Sequence, residues 1–267
     1  METLFEINKI HKYEILETIS DFSRSKVVKA QNKKTKKIVA IKIMENFERA
    51  NNEFNTLSLI NHENVIKVYE IFSYNYKKYL VMEFMPKSLY DYVEKNKISE
   101  NECKRLFKSL LNVIKFLHNN NIYHRDIKLE NILLDENNNI KLCDFEFTIF
   151  TLKSFNDYNC TINYAAPEIM QRYNCFYNDK VDIWCLGILL FAIFFQTFPF
   201  IINNKMDPYL KFIRLKQYKL FWEAHETNSQ IIISKKIKLM FNKIFVYNLN
   251  DRINLENLLK EPWLQHE

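Results

Sequence analysis

The first third of the chain alternates apolar and polar residues in short runs, and this period of two is typical of β-strands. One longer segment, residues 46–60, instead places Phe54, Leu57 and Ile60 at helical intervals. The pattern therefore predicts a small sheet accompanied by one amphipathic helix. The predicted strands cover residues 13–19, 25–31, 37–44, 65–72 and 78–84.

The remainder of the chain follows the helical period instead. Ser99 and Glu102 have the spacing of a capping box, in which each side chain bonds the backbone N–H of the other residue at a helix start. The apolar run Ile183–Phe195 is too short to span a bilayer, so we expect a buried core helix there. The apolar face of the helix that starts after Ser99 is marked by Leu106, Leu110, Val113, Ile114 and Leu117.

Together these patterns predict an α+β chain with two lobes. Residues 13–85 would form an N-terminal lobe of antiparallel sheet plus one helix. Residues 86–263 would form a mainly helical lobe, with two short strands near 131–135 and 140–144. A cleft between two lobes is a common place for a ligand site, so we expect one there.

Glycine is almost absent from this chain. Gly187 is the only glycine among 267 residues, whereas an average chain of this length would hold roughly 19. An AT-rich genome accounts for the bias, because glycine codons are rich in G and C. Such a bias predicts that glycine is missing even from sites that still work.

The charge pattern argues against nucleic acid as a partner. The net charge is +6, but the basic residues are spread along the chain instead of forming a stripe. The one dense run, Lys33–Lys37, falls between two predicted strands. We interpret it as a solvated hairpin turn, with a nucleic-acid patch as the weaker alternative.

The cysteines and the N-terminus indicate the compartment. Five scattered cysteines without a C-x-x-C pair argue against a disulfide framework or a zinc site, and favour a reducing environment. The first residues are charged and show no apolar leader segment. We therefore expect a cytoplasmic protein, with the nucleus as the alternative location. We also expect a monomer that has no membrane partner.

Several short strings carry the groups that phosphoryl transfer needs. That reaction requires a cation on the nucleotide phosphates, oxygen ligands for Mg²⁺ and a carboxylate near the attacking hydroxyl. The string "VAIK" ends in Lys42, and Glu53 lies on the helix that follows. Farther along are "HRDIKLEN", "CDF", "AAPE" and "DIWCLG". They contribute Asp126, Lys128, Asn131, Asp144 and Glu168.

At this point the chain resembles the eukaryotic protein kinase family, from Tyr13 to Trp263. Each string alone is weak evidence, but five strings in the family's order and spacing are specific. The strings "CTINYAAPEIM" and "DKVDIWCLGILLF" most resemble the calcium/calmodulin-dependent and AMP-activated kinase group. The resemblance implies a single domain over 13–263 with the bilobal protein kinase fold.

The resemblance also implies roles for the chemical groups. Lys42 would hold the α- and β-phosphates of ATP and Glu53 would hold Lys42. Asp126 would act as the catalytic base, with Lys128 beside it. Asn131 and Asp144 would bind Mg²⁺. Lys128 and Thr161, together in this pattern, indicate serine or threonine in a protein substrate. The implied nucleotide-binding positions are Ile19, Ser20, Val27, Ala40, Lys42, Met82, Glu83, Met85 and Leu133.

Arg125, Asp157 and Thr161 are the implied regulatory positions. Asp157 lies four residues before Thr161, where related kinases often carry an activating phosphothreonine. Its carboxylate would supply a permanent, weaker charge to Arg125. The alternative is an ordinary solvated loop acid. Glu130 matches an acidic position that receives a basic residue upstream of the phosphorylation site, so we expect such a preference in the substrate.

The sequence departs from the family where the family has glycine. The phosphate-covering loop has Ser20, Phe22 and Ser25 in place of its three glycines, and Asp21 adds a negative charge. Glu146 replaces the glycine after Asp144 and Phe145, which would restrict backbone rotation and place a carboxylate beside the metal site. We expect weaker ATP binding, most of all because of the Phe22 ring. Two hypotheses remain: an active ATP- and Mg²⁺-dependent kinase, or a pseudokinase that serves as a scaffold or allosteric binding module.

Overall fold

A computed structural model of the chain describes residues 12–22, 25–150, 161–170, 179–201 and 206–265, with only the backbone given for Phe22. These residues divide into two compact units. The first contains the described residues up to Lys87 together with Leu133–Thr148. The second contains Ser88–Ile132 and the described residues from Ile149 onward.

The first unit contains an antiparallel five-stranded sheet and one helix, as predicted. The strands lie in the order β1-β2-β3-β5-β4. Helix α1 covers Phe47–Leu59 and follows β3. The Lys-rich run between β2 and β3 is an exposed turn, which confirms that prediction. The strands are β1 (Tyr13–Phe22), β2 (Ser25–Asn32), β3 (Ile38–Met44), β4 (Val68–Tyr74) and β5 (Lys77–Glu83).

The register of this sheet separates an apolar core face from a face that carries polar groups. Val27 lies opposite both Ser20 on β1 and Lys42 on β3, so these three side chains share one face. Ala40 lies opposite Met82 on β5 and belongs to the same face. The other face contributes to a core formed by Tyr13, Val28, Ala30, Val39, Ile41, Phe72 and Val81.

Helix α1 begins with a side-chain cap. The Asn46 side-chain oxygen accepts a hydrogen bond from the Arg49 backbone N–H at 3.0 Å, which satisfies one of the unpaired donors of the first turn. The face predicted from Phe54 and Ile60 is only half-buried. The fully buried positions are Ala50, Glu53, Thr56 and Leu57. The helix therefore buries a glutamate, which the hydrophobic pattern alone did not indicate.

The second unit is mainly helical, as predicted. Its helices are α2 (Leu89–Lys95), α3 (Glu100–Asn119), α4 (Pro167–Met170), α5 (Asp179–Phe195), α6 (Pro208–Arg214), α7 (Tyr218–Ser229), α8 (Lys235–Ile244), α9 (Leu255–Leu259) and α10 (Pro262–Gln265). Short 3₁₀ turns cover Leu129–Asn131, Ile162–Tyr164 and Leu249–Asp251. The remaining strands of the chain's described part are β6 (Lys87–Ser88), β7 (Ile132–Leu134) and β8 (Ile140–Leu142); β7 pairs with β8, and β8 belongs to the first unit.

The predicted capping box at the start of α3 is only half present. The Ser99 hydroxyl accepts from the Glu102 N–H at 3.2 Å, but the Glu102 carboxylate lies 3.1 Å from the Arg105 guanidinium. A complete capping box instead joins Ser88 and Asp91 at the start of α2. The five apolar positions predicted for α3 are all buried, so its core face was predicted correctly.

The apolar helix α5 is buried almost throughout, which confirms the prediction of a core helix. No helix in the described part of the chain is long and apolar enough to cross a membrane. Gly187 lies in the middle of α5, against the end of α8. A Cβ atom at Gly187 would lie 2.4 Å from Ile244 Cγ2 and 3.0 Å from Phe245 Cε1. The one glycine of the chain thus sits where a side chain has no room.

Candidate active site

Lys42 is the centre of a buried charge cluster in the first unit. It projects from β3, and its Nζ lies 2.8 Å from Glu53 Oε2 on α1. The same Nζ lies 2.6 Å from Asp144 Oδ1, just after β8. Lys42 and Glu53, which the sequence suggested as partners, therefore form an ion pair, and Asp144 joins it.

Glu146 adds a third carboxylate to this cluster. Its Oε2 lies 3.7 Å from Lys42 Nζ, and its side chain is only 8% exposed. Burial alone would lower the pKa of Lys42, but Asp144, Glu53 and Glu146 more than offset burial and hold that pKa well above its usual value. Lys42 therefore stays charged. Burial raises the pKa of Glu53, and the neighbouring carboxylates add to the effect against the opposing pull of Lys42.

The turn Asp144–Thr148 gives Asp144 its position. Asp144 has a φ of 68°, in the left-handed region that aspartate tolerates better than most residues. The Phe145 ring is fully buried, and the Phe145 carbonyl accepts from the Thr148 N–H at 3.2 Å. Glu146 does not have a positive φ. The turn thus does not require glycine at the position where the family pattern has it.

The predicted nucleotide-binding positions lie in the first unit. Ala40, Met82 and Met85 are buried. Ile19 is 50% exposed, like its neighbours Ile15 and Leu16 on the same strand. Val27, Leu133 and Ser20 are half-buried. The Glu83 backbone N–H donates to the Lys67 carbonyl at 2.8 Å. The Glu83 carboxylate forms an ion pair with Lys141 at 3.1 Å.

The β1–β2 hairpin, whose loop should cover the phosphates, stays paired up to the last residue described on each strand. β1 extends to Phe22, which pairs with Ser25 at the start of β2. Neither Ser20 nor Ser25 has a positive φ, so neither needs the freedom of glycine. The Asp21 carboxylate lies 2.9 Å from Lys26 Nζ on the neighbouring strand, so its charge is paired. The Phe22 ring, the main reason to expect weaker ATP binding, lies outside the described residues.

Asp126 is the centre of the polar group in the second unit. Its Oδ1 accepts from the Thr161 hydroxyl at 2.7 Å. Its Oδ2 accepts from Lys128 Nζ at 2.5 Å and from Asn131 Nδ2 at 3.0 Å. Three donors hold the carboxylate, so its orientation is fixed without any ligand.

The backbone around Asp126 is also tightly held. The Asp126 N–H donates to His124 Nδ1 at 3.3 Å, and Asn131 Nδ2 donates to the Asp126 carbonyl at 2.8 Å. The Leu129 N–H donates to the Tyr164 hydroxyl at 3.2 Å. Tyr164 was not among the predicted site residues. Its place in the string "NYAAPE", three residues after Thr161, was the signal that could have identified it.

The predicted regulatory residues are described only in part. Arg125 is half-buried and has a φ of 70°. Thr161 bonds Asp126 and also accepts from Lys128 Nζ at 3.2 Å. Asp157 lies outside the described residues, so its pairing with Arg125 stays a prediction.

Glu168 and Arg252 form a largely buried ion pair in the second unit. The Arg252 guanidinium donates through both terminal nitrogens to the Glu168 carboxylate, at 2.8 and 2.9 Å. It also lies over the Trp184 ring, 4.9 Å from the centroid. This two-pronged geometry fixes the segment after Thr161 to the helical unit.

Comparison with known proteins identifies the family of the chain. The family model described as "Protein kinase domain" matches residues 13–264. CBL-interacting serine/threonine-protein kinase 24 of Arabidopsis thaliana is 29% identical over 97% of this chain and 59% of its own length. Carbon catabolite-derepressing protein kinase of Candida tropicalis is 30% identical over 97% of this chain and 42% of its own length.

NUAK family SNF1-like kinase 1 of Homo sapiens is 34% identical over 72% of this chain and 31% of its own length. The chain thus matches between about a third and three fifths of the length of these relatives. Their names fit the group that the strings around Thr161 and α5 indicated. With the family model matched over nearly the whole chain, these comparisons establish that the chain belongs to the protein kinase family.

Proposed function

We propose that this protein is a serine/threonine kinase that transfers the γ-phosphate of ATP to protein substrates. One observation carries the proposal: Lys42 is held by Glu53 and Asp144 at the same time, at 2.8 and 2.6 Å. The family uses this lysine as a cation for nucleotide phosphates. A buried and permanently charged ammonium, oriented by fixed carboxylates, suits that role.

Asp144 and Asn131 would supply oxygen ligands to Mg²⁺, and their chemistry fits this role. Asp144 offers a carboxylate that is a quarter exposed on its side chain. The hydrogen bonds of Asn131 to Asp126 use its amide nitrogen, which orients its carbonyl oxygen as the group for a cation. Mg²⁺ prefers such oxygen ligands, and it would neutralise charge on the phosphates.

Asp126 would accept the proton of the substrate hydroxyl. Its carboxylate is already oriented by Lys128, Asn131 and Thr161, so little reorganisation would be needed during the reaction. Glu130 is exposed beside this loop and would favour a basic residue upstream of the phosphorylated serine or threonine. The backbone of Glu83 to Met85 would bond adenine. We further propose a monomer that acts on proteins, not nucleic acid or membranes, in the cytoplasm or the nucleus.

Radiolabelled ATP transfer to a generic basic protein tests the proposal directly. We expect transfer by the wild-type protein and a loss of about 10²–10⁴-fold in Asp126→Asn, because the amide cannot accept the proton. Asp251→Asn, at an exposed site in the helical unit, is the matched control and should retain wild-type activity. Equal transfer by the wild type and Asp126→Asn would reject the enzyme.

The alternative function is a nucleotide-binding scaffold that does not turn ATP over. The non-glycine residues at the four family glycine positions, Ser20, Phe22, Ser25 and Glu146, favour it. A thermal shift assay with ATP, with and without Mg²⁺, separates the outcomes. Stabilisation by ATP and Mg²⁺ without phosphate transfer would support the scaffold, and stabilisation with transfer would support the kinase.

A further inference from the structure

Helix α1 is attached to the turn Asp144–Thr148 by more than the Lys42 ion pair. Asn52 lies next to Glu53 on α1, and its Nδ2 donates to the Glu146 carbonyl at 3.1 Å and to the Thr148 carbonyl at 3.2 Å. One side-chain amide thus bonds two carbonyls of the turn. These bonds depend on the turn's backbone path, so they fix its position relative to α1.

Arg49 lies three residues before Asn52 and therefore on the same face of α1. Its Nη1 lies 3.9 Å from Glu146 Oε1, and its guanidinium lies over the Phe147 ring, 4.8 Å from the centroid. Arg49 thus contacts the turn through one charge and one ring. Both contacts belong to residues that follow the Asp144–Phe145 pair.

Glu146 connects these contacts to Lys42. Its carboxylate has Lys42 Nζ at 3.7 Å and Arg49 Nη1 at 3.9 Å, and its side chain is 8% exposed. A carboxylate so little exposed is costly to bury unless cations accompany it. Here two cations from two different elements, β3 and α1, accompany it. Glu146 is thus a packed, paired residue and not a solvated loop acid.

We propose that Glu146 is a positioning residue that, together with Arg49 and Asn52, fastens α1 to the turn. This contact set, which we call the Glu146 clamp, holds Glu53 and Asp144 on Lys42 together. The inference rests on the proposed function, because it assigns Lys42 to the phosphates. At the glycine position of the family pattern, this chain has gained a side chain that fixes one arrangement of the lysine site.

For the variant Glu146→Gly, the clamp and a simple repulsion between the Glu146 carboxylate and phosphate predict opposite results. If the Glu146 carboxylate only repelled phosphate, glycine at this position would tighten ATP binding and leave the turnover unchanged or faster. If Glu146 fastens α1, glycine would release the helix and misplace Glu53. Amide hydrogen exchange of α1 reports that release directly, without any need for activity.

Exchange is measured on the wild type, Glu146→Gly and the control Glu136→Gly, an exposed acid in the turn between β7 and β8. We expect exchange of α1 amides to rise about tenfold or more in Glu146→Gly, with α5 unchanged, and no change in Glu136→Gly. An α1 that exchanges at the wild-type rate in Glu146→Gly would overturn the clamp.

A double-mutant cycle of Arg49→Gln and Glu146→Gln keeps the test valid if glycine prevents folding. Glu146→Gln keeps the size of the side chain and removes its charge, and Arg49→Gln removes the guanidinium. The clamp predicts that the second substitution adds little to the exchange of α1 once the first is present. Fully additive effects would mean that the two residues act independently, which overturns the clamp.

Kinetics then separate this inference from the proposed function. In Glu146→Gly we expect kcat to fall about tenfold or more, with KM for ATP changed less than about threefold. A lower KM with unchanged or higher kcat would show repulsion instead, and would overturn the clamp. A wild type without transfer activity would reject the proposed function alone, since the exchange results would still decide whether Glu146 fastens α1.

Discussion

Gly187 and Glu146 make opposite demands on a side chain. At Gly187 a single added carbon would lie 2.4 Å from Ile244 Cγ2, because a side chain of the neighbouring helix α8 occupies that space. At Glu146, where the kinase pattern has glycine, a whole carboxylate side chain is accommodated between Lys42 and Arg49. The chain has glycine at the first position and none at the second.

The difference separates two reasons for glycine, namely space and conformation. Conformation can be supplied by other residues at a cost of roughly 1–2 kcal/mol each. Ten non-glycine residues among those described have a positive φ, and four of the ten are asparagine or aspartate, which tolerate it best. Missing space has no such substitute. A chain short of glycine would therefore be expected to have one where packing leaves no room for a Cβ.

The strongest test of the comparison is Gly187→Val. Alanine or valine suits a helix at least as well as glycine, so propensity alone predicts no loss. We expect a loss of about 3 kcal/mol in the free energy of unfolding, at the upper end for overpacking, with Gly187→Ala intermediate. Chemical denaturation measures it.

Two variants show whether space is the cause. Glu223→Val, at an exposed site on α7, isolates the propensity of valine and should change stability by less than about 0.5 kcal/mol. Ile244→Ala removes the nearest obstructing atom. The double variant Gly187→Ala/Ile244→Ala should be more stable than the sum of the single losses predicts. If Gly187→Val is as stable as the wild type, lack of room for a side chain is not the reason for glycine at this position.

A buried histidine in the core beside α5 predicts that the stability of the protein depends on pH. His225 on α7 packs 4.8 Å from the Phe191 ring of α5, and its Nε2–H donates to the Pro199 carbonyl at 3.0 Å. Burial lowers the pKa of His225 to about 4, although the Pro199 carbonyl and Asp207 act in the opposite direction. The folded state therefore binds this proton more weakly than the unfolded state does.

The contribution of His225 to the free energy of unfolding is complete above pH 6.5, the pKa of the histidine in the unfolded state. This contribution is lost as the pH falls toward about 4, the pKa in the folded state. At pH 5 we expect a loss of about 2 kcal/mol relative to pH 8 from this group. Denaturation curves at both pH values measure it, with His225→Gln as the control that keeps an N–H donor but does not titrate. If wild type and control lose stability equally, His225 is not the cause.

Much of the fold was predictable because it depends on local periodicity. The five strands of the first unit and the buried face of α3 follow from apolar spacing alone. The capping box at Ser88 and Asp91 was missed, although its spacing is in the sequence, because aspartate stands where glutamate was sought. The hydrophobic pattern could not predict the burial of Glu53, because that burial depends on an ion pair with Lys42.

The contacts of the candidate site were predictable only in part: the Lys42–Glu53 ion pair was expected from the sequence, and the contacts of Glu146 were not. Lys42, Asp126 and Asp144 were identified from the order of short strings. Arg49 and Asn52 were missed because their partners lie about a hundred residues farther along the chain, where no local pattern connects them. Their one signal was helical spacing: Arg49 lies three residues before Asn52 and four before Glu53. Glu146 was expected to restrict backbone rotation and to place a carboxylate beside the metal site, and the sequence held no sign of its two cationic partners.

The smallest expected effect belongs to the hairpin, and it tests whether the lesson from Glu146 extends to the phosphate-covering loop. Ser20 and Ser25 also stand where the pattern has glycine, and neither has a positive φ. Both serines already adopt the backbone conformation that the hairpin needs. The double variant Ser20→Gly/Ser25→Gly should therefore not relieve any backbone strain. Because glycine loses more freedom in a strand, we expect a loss of about 1 kcal/mol or less in stability.

The dissociation constant for ATP with Mg²⁺ should change less than about threefold in the same variant, as measured by calorimetric titration. A tightening of about tenfold or more would show that these glycines serve the nucleotide itself, by letting the backbone approach the phosphates. Glycine would then have a third use besides space and conformation. The contrast between Gly187 and Glu146 would still hold for the folded protein, but the hairpin would mark the place where the chain's lack of glycine weakens its chemistry.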